Sequence, residues 1–394
     1  MKNVAILGST GSIGMNALRV IDEMPGELRV VALSANSNVD LLARQVERYK
    51  PDRVAVFDAK GAKALKSILN GRVRHLEPGV EGLCEMAAAK DVDVVLLSLV
   101  GGVGFAPLLT ALKAGKTVAL ANKEPMVMAG EQFMIEADRW GGRILPVDSE
   151  PSAIFQCLES RGAPKGGMRG YGKLLRRVVL TASGGALYRR KGSLARVSPR
   201  QTLAHPTWKM GKKITTDCAT LMNKGFETIE IKHLFGLELR QIEIVIHPQS
   251  IMHSAVEFTD GSILAQMGVP DMRLPIQYAM TWPQRTVPLV RALDFVKAKA
   301  LTFAAPDFRR FPCLGLALDA ARAGGSHPAV LNAADEVAVE AFLDGRIRFT
   351  DIARVIERTL KLHRRSGPLP SLAEVLETDE WARLKAAEIV EAID

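Results

Sequence analysis

The apolar positions of the first 150 residues follow two rhythms that take turns along the chain. Short apolar runs at 3–8 (NVAILG), 29–35 (RVVALSA), 54–57 (VAVF), 91–100 (DVDVVLLSLV), 117–121 (TVALA) and 143–147 (RILPV) predict buried strands. Stretches with a helical period lie between them, beginning with 16–24 (NALRVIDEM) and 40–50 (DLLARQVERYK). This alternation implies βαβ units and a parallel, doubly wound sheet over residues 1–150.

Beyond residue 150 the pattern changes. A helix at 152–159 leads through a Gly/Arg-rich loop to a strand at 176–183, a loop at 184–204 and a helix at 216–235. Strands follow at 242–248, 254–259 and 262–268, with Asp260-Gly261 as a hairpin turn. These elements predict a central α+β domain with a mixed sheet over 151–285. Within it, residues 184–211 have the length and composition of an active-site lid. Residues 286–312, rich in Pro and Arg, read as a connector. Residues 313–394 read as a helical domain, with periodic stretches at 314–324, 328–345, 349–363 and 371–393. The expected class is therefore α/β: a Rossmann-like domain, a mixed-sheet domain and a helical C-terminal domain.

Composition narrows the function without settling it. Of 394 residues 47% are hydrophobic and 24% charged, which excludes a disordered or low-complexity chain. No stretch approaches the roughly 18–20 apolar residues of a membrane span. The start runs straight into a strand pattern, so no targeting segment is expected. Cys84, Cys157, Cys218 and Cys313 lie far apart with no C-x-x-C, so a reducing cytoplasm is expected. The net charge is +9 and the pI about 9.4. Much of the excess falls in 161–200, where Arg161, Lys165, Arg169, Lys173, Arg176, Arg177, Arg189, Arg190, Lys191, Arg196 and Arg200 stand with no acid among them. Such a balance suits an anionic partner or simply solvated faces. Aromatics are only 5% and no zinc-finger or RNP pattern accompanies the charge, so nucleic acid is not the expected partner.

Four segments carry candidate chemistry. GSTGSIG closes the first strand and opens the first helix, with Gly8, Gly11 and Gly14 as a G-x-x-G-x-x-G variant. Such glycines let a pyrophosphate approach the backbone at a helix N-terminus; the alternative is a merely tight turn. The second strand ends in Asn36-Ser37-Asn38 without the acid that holds an NAD ribose, which leans toward NADP. In VDSE, Asp148 and Glu150 flank Ser149 at the ligand-binding end of the sheet, as a metal or acid–base pair or as a helix cap. In MNKGFE, Asn223 and Lys224 share a helix face with Glu227, as a third oxygen ligand or as an ordinary Lys–Glu pair. Oxygen-only ligation points to Mg2+ or Mn2+. TASGG offers an anion-binding turn at Ser183, followed by the basic loop with His205 and Trp208, the latter a ring cover or a core anchor. His247 and His253 read as core.

Taken in order, GSTGSIG, ANKEP, VDSE, TASGG, HPTWKMG, MNKGFE, HPQSIMHS, GVPDMRLPIQYA, PDFRRFPCL and PAVLNAADEVAVEAFLDGRI resemble the 1-deoxy-D-xylulose 5-phosphate reductoisomerase family of the non-mevalonate isoprenoid pathway. The resemblance covers nearly the whole chain. It implies isomerisation and reduction of a phosphorylated ketose to 2-C-methyl-D-erythritol 4-phosphate. It places NADPH on Thr10, Gly11, Ser12 and Ile13, near Asn36, Ser37 and Asn38, and on Asn122, Glu124 and Gly211. It makes Asp148, Glu150 and Glu227 ligands of Mg2+ or Mn2+, with Co2+ also fitting. Substrate contacts fall on Lys123, Ser149, Glu150, Ser183, His205, Cys218, Asn223, Lys224 and Glu227, with Trp208 and Met210 on the lid. Lys123, Asp148, Glu150, His205 and Glu227 then carry catalysis. A homodimer through the middle domain is implied as well.

The chain departs from the family pattern at four places. Cys218 replaces a phosphate-holding serine, and Pro125 a small hydroxyl residue. Pro151-Ser152 replaces His-Asn or His-Ser, and Ser37 stands where a basic residue is frequent. Two rival readings make different predictions. Another NADP oxidoreductase, of the semialdehyde or hydroxy-acid kind, would be metal-independent. A basic nucleic-acid binder would bind DNA or RNA with a steep salt dependence.

Overall fold

The computed structural model describes residues 1–69, 75–159, 167–364, 367 and 369–393. Arg161 and Lys165 of the basic run lie outside these residues. The described residues group into two compact units. The first comprises Met1–Pro125, Phe133–Ser152 and Asp271–Arg291; the second comprises Met126–Gln132, Ala153–Pro270 and Ala292–Asp394.

In chain order the strands are β1 (Lys2–Leu7), β2 (Leu28–Ala35), β3 (Arg53–Val56), β4 (His75–Pro78), β5 (Val94–Leu97), β6 (Thr117–Leu120), β7 (Arg143–Pro146), β8 (Leu175–Ala182), β9 (Ile242–Ile246), β10 (Met252–Phe258) and β11 (Ile263–Met267). The helices up to residue 159 are α1 (Ser12–Asp22), α2 (Val39–Tyr49), α3 (Ala59–Leu69), α4 (Gly79–Ala88), α5 (Phe105–Lys113), α6 (Glu124–Trp140) and α7 (Ser149–Glu159). Later come α8 (Pro199–Thr202), α9 (Lys212–Thr220), α10 (Met222–Phe235), α11 (Arg273–Thr281), α12 (Phe295–Ala298), α13 (Pro312–Ala323), α14 (His327–Leu343), α15 (Phe349–Leu362) and α16 (Leu372–Glu391).

The first unit holds a seven-stranded sheet in the order β4-β3-β2-β1-β5-β6-β7, every neighbour parallel. Of the central strands, β1 is buried from Val4 to Leu7 and β5 throughout, as continuous apolar runs require when helices cover both faces. The strand order reverses beside β1, so the carboxyl ends of β1 and β5 flank the crevice where ligands of such sheets bind. The second unit holds a mixed four-stranded sheet, β11-β10-β8-β9. Its β8–β9 pair is parallel and the other two pairs are antiparallel. Helices α13 to α16 follow, with Phe342, Ile352, Val355 and Ile356 in an apolar core shared with Phe226 and Ile229 of α10. The expected α/β class with a mixed second sheet and a helical C-terminal part is the class observed.

Two expectations are corrected. The helix foreseen over 216–235 is two helices, α9 and α10, because Leu221 takes a left-handed φ of 63° between them. The Thr220 hydroxyl accepts from the Met222 amide at 3.2 Å and starts the second helix. The loop at 184–204 contains α8, which begins at a Ser198/Gln201 capping box. Strand β4 was not foreseen: its four residues HLEP form an exposed edge without an apolar period.

Candidate active site

In the first unit, backbone packing forces the shape of the β1–α1 turn. Gly8 has φ +93°, and a Cβ there would stand 2.5 Å from the Ser98 carbonyl oxygen. A Cβ on Gly14 would stand 2.3 Å from the Gly8 oxygen. Gly11, by contrast, has its nearest neighbour at 3.4 Å and lies open. It is the N-cap of α1 and makes no side-chain cap, and the first turn carries no acid. The amides of that turn therefore point outward with the positive end of the helix dipole behind them. Ser9 is turned inward, donating to Gln45 Oε1 at 2.6 Å. Thr10, Gly11, Ser12 and Ile13 are left at the surface or half-buried.

Asn36, Ser37 and Asn38 follow β2 as an exposed stretch, and Asn38 caps α2 through the Leu41 amide at 3.3 Å. At the end of β6, buried Asn122 donates to the Gly101 carbonyl at 3.1 Å and to Glu124 at 2.5 Å. Its carbonyl oxygen, Oδ1, is buried without a partner. Buried Lys123 pairs with Asp148, which follows β7. Asp148 stands where a cap for α7 belongs, accepting from the Ser149 amide at 3.0 Å, and the Ser149 hydroxyl donates to Glu150 at 2.6 Å. Lys123, Asp148, Ser149 and Glu150 are thus gathered at the carboxyl ends of two adjacent strands.

In the second unit, Ser183 follows β8 in a turn whose two glycines both have positive φ, +83° at Gly184 and +66° at Gly185. Its hydroxyl oxygen accepts from the Gly185 amide at 3.2 Å and lies 2.9 Å from His205 Nε2. His205 Nδ1 accepts from the backbone amides of Thr207 and Trp208 at 3.2 and 3.0 Å. Two donors on Nδ1 place the ring proton of neutral His205 on Nε2, so Nε2 donates to Ser183 and leaves the serine proton available for a ligand. Nothing in the sequence signalled the two amides that orient this ring.

One turn of α10 builds the other half of this unit's chemistry. Asn223 donates to Glu227 Oε1 at 2.6 Å, and Lys224 donates to Oε2. Glu227 has no exposed surface, and Asn223 and Lys224 are buried. A surface Lys–Glu pair is therefore not what these residues form. Trp208 is half-buried rather than a core anchor, with its ring 6.2 Å from that of His253. His247 is a core residue, as expected. Its Nδ1 bonds the Thr302 carbonyl at 3.0 Å and its Nε2 accepts from the Ile251 and Met252 amides, and burial holds its pKa below the ordinary value. Cys218 is half-buried in α9, with its carbonyl against Gly185, where a Cβ would come within 2.4 Å. Gly211 caps α9 and Glu124 opens α6.

A nucleotide-type turn at the crevice of a parallel sheet, with acids, a buried lysine and a serine–histidine pair on the two units, defines a dinucleotide-dependent α/β enzyme acting on an anionic substrate. Three family models match: "1-deoxy-D-xylulose 5-phosphate reductoisomerase" over residues 4–130, its C-terminal domain over 144–235, and "DXP reductoisomerase C-terminal domain" over 267–385. A relative so named from Elusimicrobium minutum is 54% identical over 99% of this chain and 98% of its own. One from Moorella thermoacetica is 48% identical over 100% and 99%. Among solved structures, the Zymomonas mobilis reductoisomerase in complex with NADPH has a TM-score of 0.89 at 41% identity, covering both chains fully. A reductoisomerase in complex with NADPH, fosmidomycin and magnesium has a TM-score of 0.93 at 38% identity, over 99% of this chain and 98% of that one. The chain belongs to the 1-deoxy-D-xylulose 5-phosphate reductoisomerase family and is an oxidoreductase.

Proposed function

We propose that this chain carries out the family reaction through the residues described above. That reaction isomerises 1-deoxy-D-xylulose 5-phosphate and reduces the product to 2-C-methyl-D-erythritol 4-phosphate, with NADPH and Mg2+. The observation that carries the reading is Glu227: a fully buried carboxylate, held by an amide and an ammonium of its own helix, in a chain that matches the family end to end.

The open amides of Thr10 to Ile13 hold the NADPH pyrophosphate, and Asn36, Ser37 and Asn38 receive its ribose end. Asn122, Glu124 and Gly211 line the remainder. The unpartnered Asn122 oxygen supports this, since a buried carbonyl needs a donor. Asp148, Glu150 and Glu227 suit Mg2+, and Mn2+ or Co2+ as substitutes, because all three offer hard oxygen atoms. A bound divalent cation would supply Lewis-acid polarisation of the substrate, and NADPH the hydride. Lys123 keeps Asp148 in place and presents an ammonium to a substrate oxygen. Ser183, Asn223, Lys224 and His205 bind the phosphate, away from the reacting carbons, where binding energy serves orientation. Ser149 orients Glu150. Trp208 and Met210 cover the substrate from the lid, residues 184–211, and exclude water.

The test is NADPH oxidation at 340 nm with 1-deoxy-D-xylulose 5-phosphate. Turnover abolished by chelation and restored by Mg2+ is expected. Metal-independent turnover of another carbonyl substrate would favour the rival oxidoreductase reading. Cys218 gives a sharper prediction. A thiol donates poorly where a hydroxyl would hold a phosphate oxygen. Cys218→Ser should lower the substrate KM about threefold to tenfold, the gain of about 1 kcal/mol expected when a hydroxyl replaces a weakly donating thiol. An unchanged or higher KM removes Cys218 from the phosphate site.

The enzyme works as a homodimer in the cytoplasm. In support, edge strand β11 exposes Ile263 and Leu264, and Phe295 and Val296 are 68% and 86% exposed, unusual for large apolar side chains of a monomer. None of the four cysteines is in a disulfide, which is compatible with a reducing compartment. Sedimentation of the full chain at the mass of one protomer would contradict the dimer.

A further inference from the structure

We propose that Lys213 is a positioning residue: its ammonium fixes the first turn of α9, and the lid segment that ends there, in the register substrate binding requires. The inference rests on the functional reading above. Lys213 Nζ lies 2.7 Å from Asp217 on its own helix and 2.8 Å from Asp335 on α14. It also lies 4.6 Å from the centroid of the Phe226 ring on α10. The Asp335 side chain has no exposed surface, that of Asp217 keeps 4% and that of Lys213 15%. One ammonium therefore ties three helices together at a nearly dry point. The two carboxylates are felt beyond it. Burial first, and then the charges of Asp335 and Asp217, push the Cys313 thiol upward.

Such a cluster is a poor way to gain stability. Replacing a buried ion-pair network by well-packed apolar side chains is often neutral or stabilising. What charges in fixed geometry supply is register. A slide of α9 along α14 separates Lys213 from Asp335, whereas apolar packing tolerates many offsets.

What α9 carries gives that register its use. Its N-cap is Gly211, directly after Trp208-Lys209-Met210, and the Thr215 hydroxyl grips the Gly211 carbonyl at 2.7 Å. Its last turn lies against Gly185 in the Ser183 turn. Phe226, beneath the ammonium, is the residue before Glu227. A shift of α9 would thus be felt at the lid base, at the Ser183 turn and along α10.

Lys213→Met removes the charge and keeps the stem, whereas Lys213→Arg keeps the charge. In the full-length enzyme, Lys213→Met should raise the substrate KM about tenfold, with kcat per folded molecule changed less than about threefold, a loss typical of slight misplacement. Lys213→Arg should bring the KM most of the way back. Asp335→Asn leaves α9 untouched and should shift the KM in the same direction; it decides the matter if Lys213→Met does not fold. A purely structural role would lower Tm and leave KM alone. An unchanged substrate KM in folded Lys213→Met, or in Asp335→Asn standing in for it, overturns the proposal. Turnover by the unmodified enzyme in the same assay tests the underlying reading separately, so the two failures are distinguishable.

Discussion

Glu227→Gln will cut kcat/KM for 1-deoxy-D-xylulose 5-phosphate by about two to three orders of magnitude while leaving NADPH binding within about threefold. The substitution keeps volume and removes one charge. At the proposed three-carboxylate cation site it would leave two acids and a neutral amide, which is a weaker hard-oxygen set for Mg2+. The nicotinamide nucleotide is proposed to lie on the β1–α1 turn and on residues other than Glu227, so its affinity should hardly respond. The fold should be destabilised as well. Asn223 and Lys224 lose a charged acceptor, and hydrogen bonds to charged groups contribute about 1.5–3 kcal/mol each. Fluorescence titration with NADPH, steady-state kinetics over a range of Mg2+ and a melting curve separate these effects. A folded Glu227→Gln within about tenfold of the parent at every Mg2+ concentration would remove Glu227 from the cation site.

The proposal that three acids distant in sequence share one ion starts from features legible before any fold is known. Asp148 and Glu150 are conspicuous because they follow a buried strand at the binding end of a parallel sheet. Asn223, Lys224 and Glu227 are conspicuous because i+3 and i+4 spacing shares a helix face, and the two donors do reach the two oxygens of Glu227. The sheet of the first unit was legible for the same reason that its strands are buried: covered on both faces, they are continuous apolar runs.

What was not legible has physical causes as well. β4 lies at a sheet edge with exposed side chains and leaves no apolar period. The break at Leu221 involves no Gly or Pro. A buried leucine pays the cost of a left-handed φ because the helices on either side are held by tertiary packing. The amides of Thr207 and Trp208 that select the His205 tautomer are backbone groups and so invisible in a sequence. Lys213 and Asp335 meet only because α9 and α14 pack together, and no periodicity announces a pairing between helices so far apart in the chain.

Gly14 and Gly11 differ in what they do, although the motif treats them alike, and alanine should separate them. At Gly14 a methyl would fall 2.3 Å from the Gly8 oxygen and 2.5 Å from Ser9 Cα. These are backbone atoms of a turn already pinned by Ser34, which accepts from the Gly8 amide at 3.0 Å. The strain has no flexible side chain to relax into. Overpacking of this kind costs about 1–3 kcal/mol or more, so Gly14→Ala should lower Tm by several degrees and weaken NADPH binding through the distorted turn. At Gly11 the backbone, with φ −78° and ψ 174°, is open to any residue, and the nearest atom is 3.4 Å from the added carbon. Gly11→Ala should therefore melt within about a degree of the parent. Its methyl would nevertheless occupy the face on which the pyrophosphate is proposed to lie, and the NADPH KM should rise about tenfold or more, since close backbone approach is what glycine permits there. Melting curves and NADPH titrations of the two variants decide it. A Gly11→Ala enzyme that binds NADPH as the parent does would place the pyrophosphate elsewhere than at the N-terminus of α1.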